Sequence, residues 1–322
     1  MKKSTKAIIA VTATAASAAA IGFGAGYLLF NEVHNRDALI FKKVAEKVGP
    51  AMENAERNDE DARLLWYHNA DFISYEMINS KNYRLKAKMI PADNDSKLYA
   101  FCSHGYRSSG DGEYALMAKF YHDLGFNVFI VDHQASGESD GKYIGFGYHE
   151  YKDCMEWLNW MIEKFGNDIQ IILQGVSMGC ATVSLMSGDE NLPENVKFTV
   201  ADCGYTSVKA EFEHCLKNFM HLPKFPFLGT ANEFNKMING YDFNDVSPLE
   251  AVSTAKVPIL FIHGDSDTFV PTYMVHQLYG ACSSEYKDLL LVKGAAHAES
   301  YRMNSAVYEA KVKEFVDKFI EK

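Results

Sequence analysis

The pentapeptide Gly175-Val176-Ser177-Met178-Gly179 follows an apolar run, Ile169 to Leu173, and precedes Ala181 to Met186, which suits a buried helix. A bare G-x-S-x-G match arises by composition in about one chain in ten of this length. Between a strand and a helix it means more. A serine lifted on a sharp strand-to-helix turn needs small neighbours, because backbone passes close beneath it. The plainer reading is a serine that merely caps a helix. Which of the two applies depends on whether partners for the hydroxyl lie downstream.

The rest of the chain sets that turn in an alternating pattern. Phe72 to Ile78 and Tyr83 to Ile90 are β-rich runs separated by Asn79-Ser80-Lys81-Asn82, the signature of a hairpin. Strands are expected at Leu98 to Cys102, Val128 to Val131, Val196 to Val200, Ile259 to Ile262 and Leu289 to Val292. Helices are expected at Tyr114 to Leu124, at Tyr151 to Phe165, from Ser177 onward and at the C-terminus, where Val312, Phe315, Val316, Phe319 and Ile320 share one face. Such alternation predicts an α/β fold, a mostly parallel sheet flanked by helices. One connection is too long for a crossover. Roughly 55 residues separate Ala201 from Val257, rich in Phe and Met, and predict an inserted helical cap at about 206–255.

A serine hydroxyl attacks well only if a base takes its proton. Downstream, Val257 to Ile262 runs into His263-Gly264-Asp265-Ser266-Asp267, and Leu289 to Val292 into Lys293-Gly294-Ala295-Ala296-His297. The order Ser, Asp, His and the placement after strand ends both suit nucleophilic catalysis. Ser177, Asp267 and His297 are therefore the expected triad. Asp265, next to the strand end, is expected to brace the turn instead. His263 and His104 are expected to be structural, and His149-Glu150 lacks the second histidine of a zinc-protease motif. Attack on a carbonyl builds an oxyanion that needs fixed N–H donors. The backbone N–H groups of Met178 and Tyr106 are the candidates, with the Tyr106 and Arg107 side chains as candidate substrate-pocket residues. No metal or organic cofactor is needed.

Before residue 31 the chain is different material. Lys2, Lys3 and Lys6 precede 24 uncharged residues, Ala7 to Phe30, long enough for a membrane-spanning helix. The basic flank would stay cytoplasmic and the catalytic domain extracytoplasmic. A cleaved secretory signal is the competing reading, with Ala18-Ala19-Ala20 as cleavage site and a secreted product. Gly22 and Gly26 form a small-xxx-small pair, weak evidence for helix dimerisation. Residues 31–70 read as a polar helical stalk or a helix lying on the main domain, and 71–322 as that domain. The six cysteines show no metal-ligand spacing and read as buried free thiols. A net charge of -10 without a basic stripe excludes a nucleic-acid partner.

His104-Gly105, Gly175 to Gly179, His263 to Pro271 and Gly294 to His297 together resemble the serine-aminopeptidase-like and dipeptidyl-peptidase-like branch of the α/β-hydrolases. They look like its membrane-anchored bacterial members. The likeness covers roughly residues 70 to 322 and is specific for fold rather than substrate. It implies the same triad and the same oxyanion donors. The chain departs from the pattern after Asp132, where Gln134 and Ser136 stand in place of an Arg and a His, which puts a supporting interaction in doubt. The expected activity is serine-dependent hydrolysis of a carboxylic ester, a small-molecule or short acyl substrate. Peptide or amide cleavage is the first rival, and a non-catalytic surface binding protein on the same fold is the second.

Overall fold

The hairpin β1 (Ile73–Ile78) and β2 (Arg84–Ile90) forms one edge of an eight-stranded sheet. The strands that follow are β3 (Leu98–Ser103), β4 (Asn127–Asp132), β5 (Gln170–Val176), β6 (Val196–Asp202), β7 (Ile259–Gly264) and β8 (Lys287–Val292). Their order is β1-β2-β4-β3-β5-β6-β7-β8, antiparallel at β1/β2 and β2/β4 and parallel elsewhere. This computed structural model describes residues 23–38 and 57–321. The arrangement is the α/β-hydrolase fold expected above. β3, β5 and β7 are buried almost throughout, as strands covered on both faces must be.

One helix differs from expectation. Tyr114 to Leu124 is not continuous: Gly110–Tyr114 and Ala118–Asp123 are separate short helices. The Ser109 side chain caps the earlier start by accepting from the Gly112 N–H. Tyr114 then turns inward, its hydroxyl donating to the carbonyls of Ser103 and Gln174 and tying β3 to β5.

The long connection is indeed a helical insertion, with helices Val208–Asn218, Lys224–Asn239 and Pro248–Val252. Its Leu216, Leu228, Tyr241 and Phe243 are buried together, but not by themselves. Phe30 and Val33 share their cluster. Residues 23–34 are helical and lie along the cap helix Lys224–Asn239, with Phe23 and Tyr27 against Phe234 at ring distances of 4.5 and 5.2 Å. Gly26 permits the approach, since a Cβ there would come within 2.0 Å of Thr230 Oγ1. The small residue thus serves packing within the protein. Its partner in the expected pair, Gly22, lies outside the described residues, as does the expected anchor from Ala7 to Ile21. Among the described residues no helix is long and apolar enough to cross a membrane.

Of the expected stalk, residues 39–56 are likewise outside the described part, and with them Ile40, Val44 and Val48. The helix Arg57–His68 lies on the domain, with Tyr67 buried and its hydroxyl donating to Asp111. All six cysteines are free thiols, and five are buried.

Candidate active site

Ser177 sits between β5 and the helix Met178–Ser187 with φ 56° and ψ -115°, a conformation that costs a non-glycine residue energy. The flanking glycines explain why the chain tolerates it. A Cβ on Gly175 would lie 2.2 Å from the Gly179 carbonyl oxygen, and one on Gly179 would lie 1.9 Å from that of Ser103. The turn closes only with both positions bare. Its backbone is pinned by the Ser177 N–H, which donates to the Asp202 carbonyl on β6 at 2.9 Å. A helix merely capped by serine would show the Ser177 oxygen accepting from the first turn. Here it makes no such bond.

The hydroxyl faces His297 instead, with Oγ and Nε2 2.8 Å apart. His297 follows β8, and its Nδ1 lies 2.8 Å from Asp267 Oδ2, on the loop after β7. The other carboxylate oxygen of Asp267 accepts from the backbone N–H groups of Phe269 and Val270, both at 2.9 Å. Burial works against this anion, yet hydrogen bonds from His263 and His297 outweigh it and hold the carboxyl down at about 2. Burial likewise disfavours the His297 cation, but the Asp267 bond and charge prevail, so the imidazole titrates above its ordinary 6.5. The three side chains thus form one connected chain of contacts, from Ser177 Oγ through the imidazole of His297 to the carboxylate of Asp267.

Neighbouring residues divide as their positions suggest. Asp265 braces the turn by accepting from the Gly294 N–H at 2.7 Å. His104 is held on both sides, by the Gly105 carbonyl and by the His133 N–H. His263 is buried and does more than pack: its Nε2 lies 2.9 Å from the Val270 carbonyl and 3.2 Å from Asp267 Oδ2. That second contact was not legible in the sequence. Glu150, beside His149, accepts from the Gly145 and Gly147 N–H groups and serves as a turn brace. In the stretch that departs from the family pattern, the Gln134 amide donates to the Tyr143 carbonyl, while Ser136 Oγ is buried without a partner.

Met178 opens its helix, so its N–H has no acceptor within that helix. The loop carrying Tyr106 runs against the nucleophile: a Cβ on Gly105 would lie 3.4 Å from the Ser177 Cβ. Tyr106 lines the cavity beside Ser177. Arg107, a candidate either for the pocket or for solvent, is not part of that cavity's lining. Its guanidinium donates to the carbonyls of Glu32, Asn35, Arg36 and Ala38, where the N-terminal helix ends, and to the Tyr106 hydroxyl. Four carbonyl acceptors at a helix C-terminus are a strong draw for a fixed cation.

The cavity has a volume of about 60 Å³ and reaches Ser177 and Met178. Phe146, Leu216, Phe243 and Phe269 supply apolar wall from the domain and its cap, and Leu29, Phe30, Val33 and His34 close one side from the N-terminal helix. Glu211 and Cys215 of the helix Val208–Asn218 also line it. None of the N-terminal or cap residues was identified as a site residue from sequence. Their signal is a helical stripe (29, 30, 33, 34 and 211, 212, 215, 216) that any buried helix would show.

The sequence profile of the prolyl oligopeptidase family matches residues 113–322. YqkD of Bacillus subtilis strain 168, a protein of uncharacterised function, is 27% identical over 312 residues, 97% of each chain. WAV2 of Arabidopsis thaliana, an alpha/beta hydrolase domain-containing protein, is 22% identical over 196 residues, 60% of this chain and 61% of that one. The esterase Pf2001 of Pyrococcus furiosus superposes with a TM-score of 0.64 at 22% identity, covering 84% of this chain and 97% of its own. At that identity the superposition speaks for the fold alone.

Proposed function

The chain belongs to the prolyl oligopeptidase family of hydrolases, and we propose that it is a serine hydrolase that cleaves carboxylic esters through an acyl-serine intermediate. The observation that carries the reading is the unbroken contact chain from Ser177 through His297 to Asp267. In this mechanism His297 takes the Ser177 proton as Oγ attacks the ester carbonyl. The oxyanion is received by the backbone N–H groups of Met178 and Tyr106. His297 then returns the proton to the leaving alcohol, the acyl-serine forms, and a water activated by the same imidazole releases the acid. Asp267 holds the tautomer and stabilises the imidazolium throughout.

The apolar lining of the cavity favours an acyl group over an extended peptide. Membership of a family named for peptidases supports the second reading, cleavage of an amide or short peptide. Nitrophenyl esters assayed against aminoacyl nitroanilides separate the two. A fluorophosphonate probe separates either from a non-catalytic binding protein: folded protein that leaves Ser177 unlabelled would sink both enzyme readings. Ser177→Ala is expected to lower turnover by several orders of magnitude with the fold intact. The basic and apolar N-terminal residues further support placement at the membrane with the domain extracytoplasmic.

A further inference from the structure

Asp267 Oδ2 has two histidines beside it. His297 Nδ1 lies 2.8 Å away, and His263 Nε2 lies 3.2 Å away. His263 is the penultimate residue of β7 and fully buried, so the strand rather than the loop fixes its ring. The same Nε2 is 2.9 Å from the Val270 carbonyl. A carbonyl and an ionised carboxylate only accept, so Nε2 carries a proton. Val270 in turn donates its N–H to the other carboxylate oxygen of Asp267 at 2.9 Å. His263, Val270 and Asp267 therefore close a ring of contacts around the turn that carries the acid. One N–H, held by a buried strand end, anchors both the backbone of that turn and the oxygen that receives His297.

The place of that N–H has a consequence for His297. Asp267 raises the imidazole's titration by its bond and its charge. A donor set against the same oxygen favours the carboxylate anion and makes it a weaker acceptor for its other partner. We infer that His263 is a positioning residue of the triad: its Nε2–H holds the Asp267 turn in place and moderates the carboxylate's pull on His297. The inference rests on the acyl-serine reading of Ser177, in which the neutral imidazole is the active form. Without the moderating donor, Asp267 would keep His297 charged to higher pH and narrow the range over which it accepts the Ser177 proton. The other titratable groups within electrostatic reach of the pair are Asp202 at the end of β6, Cys203 after it, Glu113 in the helix Gly110–Tyr114 and Glu211 in the cap helix Val208–Asn218. Burial brings both Asp202 and Glu211 to about 7, so a rate profile alone would mix their titration with that of His297.

The test follows the His297 imidazole itself, by NMR of the full chain labelled with ¹⁵N-histidine, alongside kcat/KM for a nitrophenyl ester across pH. Loss of its signals in His297→Gln assigns them. In His263→Phe a ring is kept and the donor is lost. Two backbone N–H groups and His297 still hold the Asp267 carboxylate ionised at neutral pH. The His297 titration and the acid limb of kcat/KM are then expected to move together to higher pH, by about half a pH unit or more. His263→Gln keeps an N–H donor of similar reach and is expected to bring both back toward wild type. A side chain that only fills space would lower kcat/KM and leave the titration where it was. An unmoved titration in His263→Phe, or an equal shift in His263→Gln, overturns the proposal. Should His263→Phe not fold, the wild-type chain decides. Its His263 Nε2 proton signal is expected to shift as His297 titrates, and a signal indifferent to that step, or no proton on Nε2, overturns the proposal. Fluorophosphonate labelling keeps the two readings apart. Unlabelled Ser177 with no ester turned over defeats the acyl-serine mechanism while the titration still reports on His263, whereas labelled Ser177 with an unmoved titration defeats only the positioning role.

Discussion

Asp267 binds His297 through one carboxylate oxygen while backbone N–H groups hold the other, so its position does not depend on the histidine it orients. Replacing it with Asn should therefore leave the loop nearly in place and remove the negative charge. Turnover of the preferred ester should fall by about 10³ to 10⁴. The pH profile carries the sign. In the proposed mechanism neutral His297 is the active form, and Asp267 raises its titration above 6.5, so activity should be lost as pH falls through a point above that value. In Asp267→Asn the bond and charge of Asp267 are gone, burial is opposed only by the charges of Glu211 and Glu113, and the acid limb should move to lower pH. A limb that stays put would remove Asp267 from the proposed role. Gly179→Ala tests the turn beneath the nucleophile: its Cβ would meet the Ser103 carbonyl carbon and oxygen, both backbone, and labelling of Ser177 should be lost or slowed at least tenfold. Ser177, Asp267 and His297 were legible in sequence because each follows a strand whose apolarity marks it, and the glycines announce the turn. Glu211 and His34 were not. Nothing local separates a buried glutamate that faces a cavity from one that faces solvent, and His34 meets the cap only through the fold.

At the scale of the element, the helix of residues 23–34 shows why apolarity alone misleads. A run from Ala7 to Phe30 reads as lipid-facing because hydropathy is silent on whether the apolar partner is lipid or protein. Here the last eight residues of that run, Phe23 to Phe30, are helical and lie against the cap, with Gly26 at Thr230 and Phe30 fully buried. Arg107, read from sequence only as a candidate pocket residue, donates to the carbonyls that end this segment. Arg107→Ala leaves those carbonyls without their cation and should cost about 2 kcal/mol of stability in denaturant unfolding. Because Val33 and His34 lie between the clamped carbonyls of Glu32 and Asn35 and line the cavity, the same variant should also raise KM for the preferred ester. Unchanged stability together with unchanged KM would mean that the helix is held by apolar packing alone.

For the whole molecule, the proposed reading gives the N-terminal region two separable tasks. Sixteen uncharged residues, Ala7 to Gly22, stand before the described part of the helix that packs on the cap. Membrane attachment, as proposed, would draw on those residues together with Lys2, Lys3 and Lys6. The cavity wall, by contrast, is built from residues after them. A chain lacking residues 1–22 should leave the membrane fraction and keep its kcat/KM on the preferred ester within a few fold. One lacking residues 1–38 loses Phe30, Val33 and His34 together and opens the cavity to solvent along one side. Its kcat/KM should drop by about 10² or more, because that apolar contact is gone. Fractionation and ester kinetics on the two truncations read both tasks at once. If the longer truncation matches the shorter in rate, the helix is no part of the site; if removing residues 1–22 already abolishes turnover, attachment and catalysis are not separable.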